Sequence, residues 1–164
     1  MKRRRFVTTA SCAATAFALL PGLASGCKTN KLNSIGVQLF SLPKFLEKDF
    51  ISGIKLLADI GYQEIEMYGP FPFSADAVKK RWASITPSLG FSGSGYFGHS
   101  LQEISTILKD HNIKITSIHS DIETMQTRMD DIGKASEQLG FKYAGLPAIP
   151  EEKRKTLDDY KRIA

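Results

Sequence analysis

The sequence predicts an α/β fold built on a parallel sheet, and three observations carry that expectation. Strand-like stretches followed by helix-like stretches recur four times along the chain. The first of them, Ser34-Ile35-Gly36-Val37-Gln38-Leu39-Phe40-Ser41, has apolar residues dominating both faces, which suits a strand covered on both sides. The segments between successive strands are long enough to cross over and pair them in parallel.

The elements follow in order. After the first strand, Phe50, Ile51, Ile54, Leu57, Ala58 and Ile60 recur at helical spacing between Asp49 and Ile60, with Gly61 as the stop. Tyr62 to Tyr68 reads as a second strand ending at Gly69-Pro70. The stretch from Pro70 to Ser100 is a long connection rich in Gly, Pro, Ser and aromatic residues, with a short helix from Ala77 to Ser84. A connection of that length is often functional. Ser100-Leu101-Gln102-Glu103 is a capping-box pattern, opening a helix whose buried face is Leu101, Ile104, Ile107 and Leu108. Ile113 to His119 alternates as a third strand, and one helix is expected from Thr124 to Leu139, closed by Gly140. Phe141 to Leu146 is the fourth strand, and Thr156 starts a fourth helix that runs to Ala164.

The N-terminus reads differently. Lys2, Arg3, Arg4 and Arg5 precede an apolar run from Val7 to Leu20 and small residues at Ala24 to Gly26, the order of a signal peptide spanning residues 1–26. The run is too short and too interrupted for a permanent transmembrane helix. Arg3-Arg4-Arg5-Phe6-Val7 fits the twin-arginine pattern, and Leu23-Ala24-Ser25-Gly26-Cys27 resembles a lipoprotein box with Cys27 as the lipidated residue. Residues 27–33 read as a linker and 34–164 as the folded domain. The expected location is the periplasm or cell envelope, with a lipid anchor through Cys27. The formal charge of +5 falls to +1 once residues 1–26 are set aside, so no basic groove for nucleic acid is expected. Of the two cysteines, Cys12 lies in the signal segment, which leaves no disulfide within the rest of the chain.

Two global solutions fit four strand-helix repeats: an open doubly wound sheet or a barrel. Ser-Leu-Pro-Lys-Phe follows the first strand in place of a glycine fingerprint, and Gly93-Ser94-Gly95 reads as a flexible loop rather than a phosphate cradle. The stretches IGVQLFSL, ADIGYQEIEMYG, LKDHNIKITSIHSD and EQLGFKYAGLPAIP, in that order, resemble sugar phosphate isomerases/epimerases of the xylose isomerase-like TIM-barrel family. That resemblance implies a (β/α)8 barrel, present here as roughly its first four βα units, with the active site at the C-terminal ends of the strands. It places Gln38 and Phe40 of the first strand, Glu66 and Tyr68 of the second, and His119 with Asp121 of the third at the mouth. His119 and Glu66 are the expected catalytic pair; Gln38, Phe40, Tyr68 and Asp121 are expected to touch the substrate. His111 reads as a cation at a helix C-terminus, and His99 as solvent-facing. Trp82, Phe71, Phe73, Phe91, Tyr96 and Phe97 read either as a sugar-stacking lid or as packing of the long loop onto the rim.

The resemblance implies metal-assisted proton transfer next to the carbonyl of a small sugar. Its divalent cation is held by Glu, Asp, His and Glu on later strands. A full barrel needs about 250 residues, and removing residues 1–26 leaves 138. The chain is therefore expected to be a fragment that does not bind the metal tightly alone, with two open strand edges and an uncovered apolar sheet. The alternatives are a noncatalytic sugar-binding or inactive truncated envelope lipoprotein, or a lyase or hydratase acting on an oxidised sugar.

Overall fold

The computed structural model describes residues 34–163. The signal segment, the linker and Cys27 lie outside the described residues.

Four parallel strands form one sheet in the order β1 (Gly36–Gln38), β2 (Glu64–Tyr68), β3 (Lys114–His119), β4 (Tyr143–Gly145). Sequential order decides between the two solutions left by the sequence. A doubly wound sheet reverses its strand order at a switch point, whereas successive right-handed crossovers in one direction place every helix on the same face, as in a barrel. The register pairs Gln38 with Glu66, Glu66 with Ser117, and Tyr68 with His119. It shifts between Ile65 and Glu66, where Thr116 is the extra residue of a bulge.

The helices are α1 (Pro43–Lys48), α2 (Phe50–Ile60), α3 (Asp76–Leu89), α4 (Leu101–Asp110), α5 (Ile122–Thr127), α6 (Met129–Leu139) and α7 (Leu157–Ile163). Several begin where local chemistry says they should. Asp49 caps α2 by accepting from the Ser52 amide, and Gly61 ends it in the left-handed region. Ser100 and Glu103 form the expected capping box on α4. His111 caps the end of that helix, its Nδ1 lying 2.8 Å from the Ile107 carbonyl.

Other elements depart from the sequence reading. β1 is only three residues, because Leu39–Ser41 turn into a 3-10 helix, which puts Phe40 on a turn rather than in the strand. Helix α1 follows with Pro43 in its first turn, where a missing N–H costs nothing. Helix α3 is longer than Ala77 to Ser84, and its Pro87 sits in the last turn, capped by Gly90. The single helix expected from Thr124 is two helices, broken at Arg128. His99 is half-buried against Phe50 (ring centroids 5.6 Å apart) rather than solvent-facing.

The core lies between sheet and helices. Ile65 and Met67 of β2 and Ile115 and Ile118 of β3 point into it, with Leu39, Leu46, Ile54 and Ile104 completely buried beside them. Alternation turns Gln38, Glu64, Glu66, Ser117 and His119 to the opposite face. The uncovered face is therefore polar, contrary to the apolar face expected. Ser34 Oγ donates to Glu64 Oε1 at 2.7 Å on that same face.

Candidate active site

The strand register brings three of the expected residues into one hydrogen-bonded series. Gln38 Nε2 lies 2.9 Å from His119 Nδ1, and His119 Nε2 lies 3.0 Å from Glu66 Oε1. The other Glu66 oxygen accepts from the Ser117 hydroxyl. A glutamine amide nitrogen can only donate, so Nδ1 is the acceptor and the ring carries its proton on Nε2. The order Gln38, His119, Glu66, Ser117 thus fixes both the tautomer and the orientation of the imidazole. All four residues are partly exposed, at the C-terminal halves of their strands or at the strand ends.

A cavity of about 360 Å³ opens above this series. Gln38 and His119 form part of its lining, Phe40 and Tyr68 part of its wall, and Asp121 and Pro147 part of its rim. Phe40 packs edge-on against Tyr68 at 5.0 Å and Phe91 at 5.8 Å, and Trp82 stands 6.0 Å from Phe91. The aromatic residues therefore divide between the two roles read from the sequence. Trp82 lines the cavity, whereas Phe71, stacked on Phe73 and touching Tyr96, belongs to the core under the loop.

Two expected contacts are already committed within the protein. The Tyr68 hydroxyl donates to the Gly93 carbonyl at 2.7 Å. Burial, and then the charge of Glu47, pushes that phenol well above its usual value, so it stays a neutral donor and Tyr68 offers the cavity its ring. Asp121 lies beyond the third strand as the N-cap of α5. Its two oxygens accept from the Thr124 amide and hydroxyl at 2.9 and 2.7 Å.

The loop over the cavity is tied down rather than flexible. Glu47 Oε1 accepts from the amides of Ser92 and Gly93 at 2.9 and 3.0 Å and from the Ser92 hydroxyl. These bonds hold the Glu47 carboxyl below its usual range, the Ser92 hydroxyl contributing most. Trp82 Nε1 donates to the Ser92 carbonyl at 2.9 Å, which joins α3 to the same loop.

A solved structure shares this arrangement of strands and helices. A crystal structure of a sugar phosphate isomerase/epimerase from Parabacteroides distasonis ATCC 8503 matches 81% of this chain with a TM-score of 0.52 and 20% identity. The likeness is one of fold. It bears out an α/β barrel architecture, of which the described residues supply the first four βα units. A second sugar phosphate isomerase/epimerase structure from the same organism matches 79% of the chain at 18% identity and a TM-score of 0.49. The chain spans 44% and 48% of the lengths of those two proteins. No family model and no curated protein matches it.

Barrels of this fold often use a divalent metal. Among the described residues no three His, Cys, Asp or Glu side chains gather to hold one. The nearest approach is Glu66 with His119, whose facing atoms are spent on each other, while Asp121 caps α5. The residues present therefore do not fit the ion.

Arg81 and Ser120 escape the sequence reading. Val78, Arg81, Trp82 and Ile85 all line the cavity, and their spacing of i, i+3, i+4 and i+7 is that of one helix face. The periodicity is visible in the sequence, but a basic residue on such a stripe reads as a solvated position. Ser120 also lines the cavity. Its hydroxyl is buried without a hydrogen-bond partner, a property invisible before folding.

Proposed function

We propose that this chain contributes the proton-handling part of a sugar isomerase/epimerase site, acting next to the carbonyl of a small sugar. The observation that carries the reading is the Gln38–His119 pair lining an aromatic-walled cavity, with Glu66 bonded to His119 behind it. Rings at the wall suit the apolar faces of a sugar, and polar groups at the floor suit its hydroxyls.

The series assigns a role to each member. Gln38, which lines the cavity, covers the one free lone pair of the imidazole. When the substrate displaces the Gln38 amide, Nδ1 takes the proton from the carbon next to the carbonyl. The electron pair of that C–H bond moves to leave an enediolate on the carbonyl oxygen, and Glu66 stabilises the resulting imidazolium through the Nε2–H bond. Ser117 keeps the Glu66 carboxylate aimed at the ring. The proton of the adjacent hydroxyl passes to the enediolate oxygen, and Nδ1 returns its proton to the former carbonyl carbon, which completes the isomerisation and restores the neutral imidazole.

Export through the N-terminal segment, with a lipid anchor at Cys27, belongs to the same reading and rests on the sequence pattern of residues 1–27. Sugar turnover by the native protein tests the function. Aldoses and ketoses are incubated with the wild type and with His119→Asn, and the products are resolved by chromatography. The substitution is expected to lower kcat by roughly 100-fold or more while the protein stays folded by circular dichroism. Equal turnover by both proteins refutes the role of His119.

A further inference from the structure

We infer that the sugar taken by this cavity carries a carboxylate, and that Arg81 selects it. The inference rests on the proposed sugar site and names the class of substrate that site prefers.

Among the described residues, Arg81 is the only lysine or arginine lining the cavity. No carboxylate lies within ion-pair distance of its guanidinium among the described residues, although its helix neighbour Lys79 is paired with Asp76 at 3.0 Å. Helix α3 is anchored to the loop through Trp82, the residue next to Arg81, so the guanidinium is presented from a supported element. Ser120 adds a second, independent signal. It is only 6% exposed, lines the same cavity, and has a hydroxyl with no partner. A buried hydroxyl left unpaired is costly, and a χ1 rotation that turns it into the cavity to donate to a ligand oxygen would relieve it. The acidic residue on the rim, Asp121, has both oxygens engaged by the Thr124 amide and hydroxyl as the cap of α5.

The donor set favours a carboxylate over a phosphate. One planar guanidinium matches the two oxygens of a carboxylate. A phosphate is ordinarily met by several backbone amides at a helix N-terminus or nest. The amide pair of Ser92 and Gly93 is already filled by Glu47, and the short helix α5 is capped by Asp121.

Equilibrium binding to the native protein separates the possibilities, with D-gluconate, D-glucose and D-glucose 6-phosphate as probes in calorimetry. Gluconate is expected to bind at least about tenfold more tightly than glucose. Arg81→Gln should remove that advantage while leaving glucose affinity unchanged, and Arg81→Lys should restore only part of it. Arg81 is exposed, so its variants are expected to keep the wild-type circular dichroism and melting temperature. Equal wild-type affinities for gluconate and glucose overturn the inference, as does an Arg81→Gln loss shared equally by both sugars. Tighter binding of glucose 6-phosphate with the same Arg81 dependence overturns the carboxylate assignment. Because binding is read without turnover, loss of discrimination alongside an intact His119 effect on kcat sinks this inference alone. Discrimination retained without any His119 effect supports it and sinks the catalytic reading.

Discussion

Gly95 shows how tightly the cavity's surroundings are specified by single residues. Its φ of +56° lies in the left-handed region, and its amide donates to the Tyr68 carbonyl at 2.8 Å. A Cβ there would stand 2.6 Å from the Pro70 carbonyl oxygen and 2.9 Å from the Phe71 Cα, both backbone atoms that cannot swing aside. Gly95→Ala is accordingly expected to lower stability by more than about 2 kcal/mol, read from the denaturant midpoint. A midpoint shift worth less than about 0.5 kcal/mol would show that the loop relaxes freely. Gly98 makes the natural control: its φ is +85°, but nothing lies within 4 Å of where a Cβ would stand, so Gly98→Ala meets backbone strain alone.

At the scale of elements, the loop from Phe91 to Gly98 is held to α1 by Glu47 and to α3 by Trp82. The folded protein holds Glu47 below its ordinary value of 4.5, so the unfolded chain binds the proton more readily. The contribution of these bonds is complete above about pH 4.5 and is lost as pH falls through the lower, folded value. Trp82 is the only tryptophan, so its fluorescence reports the tether directly. Acid titration should change that signal below pH 4.5 before circular dichroism reports unfolding, and Glu47→Gln should already show the altered signal at neutral pH. Identical titrations of the two proteins would mean that the tether does not position the loop. The strand–helix alternation, the Ser100 capping box and the glycine stops are local chemistry, and each stands where the sequence places it. Gln38, Phe40, Tyr68, His119 and Asp121 do meet around one cavity, with Glu66 bonded to His119 behind them. The tether is not legible in the sequence because Glu47 and Ser92 are 45 residues apart, and only tertiary structure brings a carboxylate to an amide pair. Helix α3 outruns its expected end because Thr86, Pro87 and Ser88 weaken a helical pattern that the last turn tolerates. The break at Arg128 has no glycine or proline to announce it.

At the scale of the molecule, the parallel order β1-β2-β3-β4 makes the two sheet faces unlike. One packs against helices through Ile65, Met67, Ile115 and Ile118; the other carries the polar series that the proposed chemistry uses. The fold thus separates stability from function by face as well as by strand end. On the proposed reading, His119, held between Gln38 and Glu66, moves a proton next to a sugar carbonyl, and carbon-bound hydrogen exchange reads that event itself. The native protein and His119→Asn are incubated in D2O with D-fructose, D-xylose and D-glucuronate, and proton spectra follow the hydrogen adjacent to the carbonyl. That signal should disappear with the wild type and at least about 100-fold more slowly with the variant. Exchange at the same rate with both proteins, or none above the protein-free rate with any of the three sugars, would contradict the proposed role of His119.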